Sequence, residues 1–220
     1  MPCSLKDECD SLLRCESDLA RRLVLRPLAP SDLPDVRAIC AASFPIKYPD
    51  CWYEEVVSGS LISHGLFDGS RLAAIMVSET KKILHCNAED REILADASSH
   101  VVYILSLAVN IEYRRSGLAS RLLNHLLDTI IENPPYPRAV FLHVLSTNLA
   151  AISFYKTNGF IHHDTLLNYY RLESGYGDGF TFVKYTNGAR PPMSFNTLCR
   201  MLGEAVCFPV KKLCRFFSYS

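Results

Sequence analysis

Apolar and polar positions alternate along Leu23–Leu28 (LVLRPL), the period of a strand with one covered face. Ser31-Asp32 then stands where a helix N-cap belongs, ahead of a helix through Ala42. The segment FPIKYPDCWY (44–53) sets prolines among aromatics and reads as an ordered loop leading into a short helix. Leu61–Phe67 and Arg71–Ser78 are strand-like runs joined through Asp68-Gly69, a hairpin signal. Lys81–His100 is polar and reads as an irregular connection. Val101–Val109 is almost wholly apolar, as expected of a strand covered on both faces.

The period changes at Gly117. Leu118, Leu122, Leu126 and Ile130 fall on one helical stripe, and Asn133-Pro134-Pro135 stops the helix. Ala139–Ser146 (AVFLHVLS) reads as another buried strand. Asn148–Asn158 predicts a short helix with Gly159 as C-cap. Two long strand-like runs follow, Phe160–Leu172 and Gly179–Thr186, with a Gly-rich loop between them. The order β-α-α-β-β-β-α-β-α-β-β implies a single α/β domain around a mixed sheet of about seven strands. Its early strands are antiparallel. The strand–helix–strand around Gly117 is expected to be a right-handed crossover between parallel strands.

A chain of 220 residues suits one domain with tails: an arm over 1–20, a domain over 21–188 and a tail over 189–220. A hydrophobic share of 49% supports a sizeable core. The formal net charge is zero, which argues against nucleic acid as the main partner. The N-terminus MPCSLKDECDSLLRCESD lacks the apolar segment of a secretory signal. The nine cysteines therefore read as free thiols in a reducing compartment. None forms a CxxC pair, and no histidine completes a zinc set around Cys3, Cys9 and Cys15, so no metal is expected.

The tail has its own pattern. Arg190, Arg200, Lys211, Lys212 and Arg215 face one acid, Glu204. Apolar residues recur at helical spacing on either side of Pro209. Basic and aromatic-apolar faces together suit a membrane interface. A helix docked on the domain itself is the alternative.

The turn EYRRSGLAS carries the first candidate chemistry. In the spacing Arg114-x-x-Gly117-x-Ala119, the small residues let backbone approach an anion. The N–H groups of Arg115, Ser116, Gly117, Leu118, Ala119 and Ser120 would then lie at a helix N-terminus, where the dipole favours negative charge. A pyrophosphate fits such a cradle. NLAAISFYKTNGF (148–160) is a second motif. Together the two resemble the GNAT superfamily of acetyl-CoA-dependent N-acetyltransferases, with its Arg/Gln-x-x-Gly-x-Gly/Ala signature and its Asn…Ala-x-x-Phe-Tyr-x-x-x-Gly-Phe segment. FPIKYPDCWY, YILSLAV, LHVLSTN and the tail after NGARPP resemble, more narrowly, the Golgi-associated NatF type of protein Nα-terminal acetyltransferase. The likeness covers about residues 20–195.

The resemblance implies roles by position. Leu107, Ala108 and Val109 would present backbone to the acetyl and pantetheine portions of acetyl-CoA from a splayed strand. Arg115 to Ser120 would hold the pyrophosphate. Asn148, Tyr155, Lys156, Thr157 and Asn158 would complete the coenzyme site, with Tyr155 either protonating the departing thiolate or only positioning it. Tyr103 and His143 would be the catalytic pair. Tyr48, Leu105 and Tyr170 would line the peptide groove. Tyr169, one residue from Tyr170 on a strand, would face the other way and is the weaker candidate. His162 and His163 read as surface histidines for the same reason.

The implied activity is direct acetyl transfer to protein N-termini, chiefly Met-starting and membrane-associated, at the cytosolic face of the Golgi. The expected state is a monomer or weak dimer. A lysine or histone acetyltransferase is the alternative on this fold. In one departure from the NatF pattern, Lys47 stands where an acidic residue is usual. A cation there would disfavour a basic second residue in the substrate.

Overall fold

The computed structural model describes residues 21–173 and 175–192. The arm over 1–20 and the tail motifs beyond Pro192 lie outside the described residues. Seven strands form one sheet in the order β1-β2-β3-β4-β5-β7-β6. They are β1 (Leu23–Pro27), β2 (Ile62–Asp68), β3 (Arg71–Lys82), β4 (His100–Val109), β5 (Ala139–Leu145), β6 (Ile161–Leu172) and β7 (Gly175–Tyr185). The helices are α1 (Leu33–Ser43), α2 (Asp50–Ser58), α3 (Leu118–Glu132) and α4 (Leu149–Thr157).

Alternation along the strands divides the core between two faces. On β3, Ala74 and Met76 pack with Leu118, Leu122, Leu123 and Leu126 of α3 and with Ile152 and Tyr155 of α4. Ile75 and Val77, the residues between, pack with Val36 and Ile39 of α1 and Val56 and Val57 of α2. A strand covered on both faces has no polar side, which explains its continuous apolar run. Leu122 and Leu123 are fully buried, and each such side chain contributes roughly 1.5–3 kcal/mol.

β4 and β5 are the parallel pair, and their ladder is short. It joins Val101–Ile104 to Ala139–Leu142 and goes no further, although both strands continue. The split begins at Leu105 and His143. Opposite it, β3 and β4 change register between Val77 and Ser78, leaving Leu105 as the extra residue of a bulge. From Leu105 onward β4 is not doubly covered as the apolar run suggests, because Leu105, Leu107 and Val109 stay half-buried.

Three local expectations change. The glycines of GYGDG do not form a loop, since β7 already begins at Gly175, paired with Leu172. They serve close packing: a Cβ on Gly177 would meet Leu145 at 2.8 Å, and one on Gly179 would meet Tyr169 at 3.2 Å. Asp32 sits before α1 but makes no cap bond with its side chain. Its carboxylate accepts from Arg26 at 2.7 and 2.9 Å and from the Ala29 N–H at 2.8 Å. The polar stretch before β4 forms two short 3-10 turns, Ile83–His85 and Ala88–Ile93. They bury Ile83 and Ile93 against Phe141 and Val183.

Candidate active site

The first half of the site is the start of α3. Arg115 (φ 66°) and Gly117 (φ 77°) both take left-handed backbone, turning the chain sharply out of β4 and into the helix. A Cβ on Gly117 would touch nothing within 4 Å, so the backbone angle and not crowding favours glycine there. The helix leaves its first N–H groups without intrahelical acceptors. Gly117, Leu118, Ala119 and Ser120 line a cavity of ≈ 530 Å³ together with Arg114, Arg115, Leu107, Ala108 and Val109. Orphan donors, the helix dipole and two arginines meet in one cleft, the chemistry of a phosphate cradle. Its far wall is the start of α4, where Asn148 accepts from the Ala151 N–H at 3.1 Å.

The second half opens at the split between β4 and β5. This cavity of ≈ 730 Å³ lies among Tyr48, Trp52, Tyr103, Leu105, His143 and Tyr170. Tyr48 is held by stacking on Trp52 (centroids 4.0 Å apart, 18° between planes) and by a 3.3 Å hydrogen bond with Ser106. Burial pushes its phenol pKa up. Ser43 and Asn148 line both cavities, so the two share a wall.

His143 ends this second cavity, its side chain only 2% exposed. Nε2 lies 2.8 Å from Oδ1 of Asp90, itself 3% exposed and carried by the second 3-10 turn. Nδ1 faces the hydroxyls of Tyr169 at 2.8 Å and Tyr103 at 3.1 Å. A carboxylate only accepts, so in the neutral ring Nε2 carries the proton and Nδ1 keeps its lone pair toward the phenols. That orientation suits a proton acceptor. Tyr103 is fixed by stacking on Phe141 (4.8 Å, 18°), and burial drives its phenol pKa well up. It is therefore held as a neutral phenol, not as a phenolate.

Of the residues read from the sequence, Leu107, Ala108, Val109, Arg115, Gly117, Leu118, Ala119, Ser120 and Asn148 lie on the first cavity, and Tyr103, His143, Tyr48, Leu105 and Tyr170 on the second. Ser116 turns its hydroxyl to the Tyr113 carbonyl and does not line the cleft. Lys156, Thr157 and Asn158 lie outside both cavities, and Asn158 closes the end of α4 by donating to the Phe154 carbonyl at 2.8 Å. Tyr155, also expected at the coenzyme site, lines neither cavity: it is buried between Phe154 and Phe160, its phenol pKa raised by burial.

Tyr169 and Tyr170 do not face opposite ways. The β6–β7 register shifts between Leu166 and Tyr170, where Asn168 takes φ 54°, and both tyrosines reach the cavity. Asp90 escaped the sequence reading, because one acid in a polar connection carries no periodic signal. Ser43, Arg114 and Phe154 also line the site; Arg114 and Phe154 stand inside the two motifs, and only Ser43 had none to mark it.

A phosphate cradle sharing a wall with a histidine-ended cavity defines a coenzyme-dependent group-transfer enzyme. Residues 33–160 match the Acetyltransferase (GNAT) family. N-alpha-acetyltransferase 60 of Danio rerio is 36% identical over 83% of this chain and 77% of its own length. Histone acetyltransferase MCC1 of Arabidopsis thaliana is 32% identical over 77% and 72%. Solved structures of Arabidopsis thaliana NAA60 with a bisubstrate analogue and with acetyl-CoA share the fold at a TM-score of 0.69. They are 30% and 29% identical and cover 76% of this chain and 99% of theirs. The chain belongs to the GNAT acetyltransferase family, and within it to the N-alpha-acetyltransferases of NatF type.

Proposed function

We propose that this enzyme transfers acetyl from acetyl-CoA to the α-amine of Met-starting, membrane-associated proteins, by direct attack within a ternary complex. The observation that carries this reading is the His143 cluster at the β4–β5 split, on a cavity that shares Ser43 and Asn148 with the coenzyme cleft. An α-amine has an ordinary pKa of about 7.7–8.0 and attacks only when neutral. In the pair Tyr103 and His143, the imidazole is the base that takes its proton, directly or through a water, and Tyr103 stands beside it as a neutral phenol. The amine nitrogen bonds to the thioester carbon. The oxyanion rests on a backbone N–H near Leu107. The C–S bond then breaks, and the proton taken by His143 passes on to the thiolate, with Tyr155 as a buried clamp behind the site. Leu107–Val109 hold the acetyl and pantetheine end, and Arg115–Ser120 hold the pyrophosphate.

The acceptor wall of Tyr48, Leu105 and Tyr170 favours a slim N-terminus over a bulky chain. A peptide-library acetylation assay tests this with wild type, Tyr103→Phe and His143→Ala. Met-starting peptides are expected to be acetylated, and His143→Ala to lose roughly a hundredfold or more in kcat. Full activity in His143→Ala overturns the assignment. The name of the MCC1 relative favours a second reading, a lysine acceptor. Turnover of a lysine peptide with a blocked α-amine, above that of free N-termini, would establish it instead.

Lys47 pairs with Glu173 at 3.3 Å, with both side chains largely exposed. An exposed pair is weak and readily exchanged, so a substrate carboxylate can take the place of Glu173 on the lysine. The lysine therefore disfavours a basic second residue. Met-Glu peptides are expected to outrun Met-Lys peptides, and the reverse order would remove Lys47 from the account. The basic, apolar pattern of residues 193–220 supports a place on the cytosolic face of the Golgi membrane. Fractionation with and without those residues tests it, and a fully soluble full-length protein refutes it.

A further inference from the structure

His143 has one in-plane lone pair and two phenols competing for it. With Nε2 donating to Asp90 at 2.8 Å, only Nδ1 can accept, and a single lone pair takes one strong donor. The Tyr169 hydroxyl is nearer, at 2.8 Å against 3.1 Å for Tyr103. Tyr169 is also held there by a dedicated piece of backbone. Asn168 sits at φ 54°, a left-handed angle that costs a non-glycine residue energy, and its N–H donates to Asp178 at 2.8 Å. The bulge swings Tyr169 to the cavity side, beside its neighbour Tyr170 (5.1 Å, 85°). Gly179 leaves its ring room, since a Cβ there would meet it at 3.2 Å. Burial pushes the Tyr169 phenol pKa up to about 12, so its proton stays on the oxygen through the working range of pH.

We propose that Tyr169 is a further catalytic residue, the proton relay to the base: its hydroxyl, and not that of Tyr103, holds the Nδ1 lone pair of His143 and hands the amine's proton to it. This rests on the N-terminal acetylation reading above. In the step, the amine nitrogen bonds to the thioester carbon and the C–S bond breaks. The amine N–H proton passes to the Tyr169 oxygen as the Tyr169 proton passes to Nδ1. The imidazolium so formed is paired with Asp90 until it gives that proton up to the departed thiolate, which leaves coenzyme A as the thiol and His143 neutral again. Tyr103 is thereby freed to orient the incoming amine.

The test compares Tyr169→Phe and Tyr103→Phe with wild type in steady-state acetylation of a Met-starting peptide, with nitrogen NMR of the His143 imidazole in each. Tyr169→Phe is expected to lower kcat roughly ten- to a hundredfold, with both KM values within about twofold. It should also change the Nδ1 resonance more than Tyr103→Phe does. Placing 3-fluorotyrosine at 169 keeps the hydroxyl and is expected to restore kcat to within about threefold, which separates chemistry from folding. Unchanged kcat in Tyr169→Phe overturns the proposal, as does a loss carried entirely by peptide KM. If wild type acetylates no N-terminus, the acetylation reading fails, while the Nδ1 resonance still reports on the Tyr169 bond.

Discussion

At the scale of single residues, the site depends on who holds which proton. Asp90 fixes the tautomer of His143, and Asn cannot enforce that choice because its amide can turn to donate. Asp90→Asn is expected to lower kcat roughly a hundredfold while leaving the KM for acetyl-CoA within about twofold, read by steady-state kinetics. Equal activity would make the Asp90 contact structural only. The buried phenols give a second expectation. Burial raises the pKa values of Tyr103, Tyr155, Tyr169 and Tyr170 above the ordinary value of about 10, that of Tyr169 to about 12. A folded pKa above the unfolded one favours the folded state below the unfolded value, and that advantage fades as pH rises through the folded value. Stability is therefore expected to hold to about pH 10 and fall as the pH rises toward 12. Phenolate absorbance should lag behind that of free tyrosine until the fold melts. Full ionisation of all eleven tyrosines in the still-folded protein would contradict it.

At the scale of elements, the order of strands and helices was legible because both periodicities are strong. α3 shows a clean stripe through Leu118, Leu122, Leu126 and Ile130, and all four are buried. The coenzyme turn was legible for the same reason, with a glycine at a position that needs φ 77° and small residues after it. Irregularities were not legible. The bulge at Leu105, the early end of the β4–β5 ladder and the left-handed Asn168 are set by packing across the sheet, and no local pattern announces them. The alternation rule therefore turned Tyr169 the wrong way. The bulge at Asn168 is itself testable. A β-branched side chain tolerates φ 54° poorly, whereas glycine accepts it. Asn168→Val is expected to raise peptide KM and lower the melting temperature by a few degrees, with roughly 1–2 kcal/mol of strain. Asn168→Gly should stay near wild type. Identical behaviour of the two variants would mean that the left-handed turn does not position the tyrosines.

At the scale of the whole molecule, the split sheet lets two ligands meet. On the proposed reading, coenzyme would enter over the N-terminus of α3, and the acceptor between the 44–49 loop and the β6–β7 hairpin. Ser43 and Asn148 belong to both cavities, so on that reading the reacting ends of the two ligands would come together at that wall. Linking the ligands should then preserve both sets of contacts and avoid a second loss of translational freedom. A covalent adduct of coenzyme A with a Met-starting peptide is expected to bind more tightly than coenzyme A alone. At equal concentration, each tenfold in affinity adds about 1.4 kcal/mol to the stability of the folded state. For a chain of this size that raises the melting temperature by roughly 3–6 °C. Thermal melts with coenzyme A, with the adduct and with an adduct whose peptide is replaced by a short alkyl chain should rank adduct first. Equal shifts for coenzyme A and adduct would mean that the cavity ending at His143 does not receive the peptide, and the acceptor would have to approach from another side of the thioester.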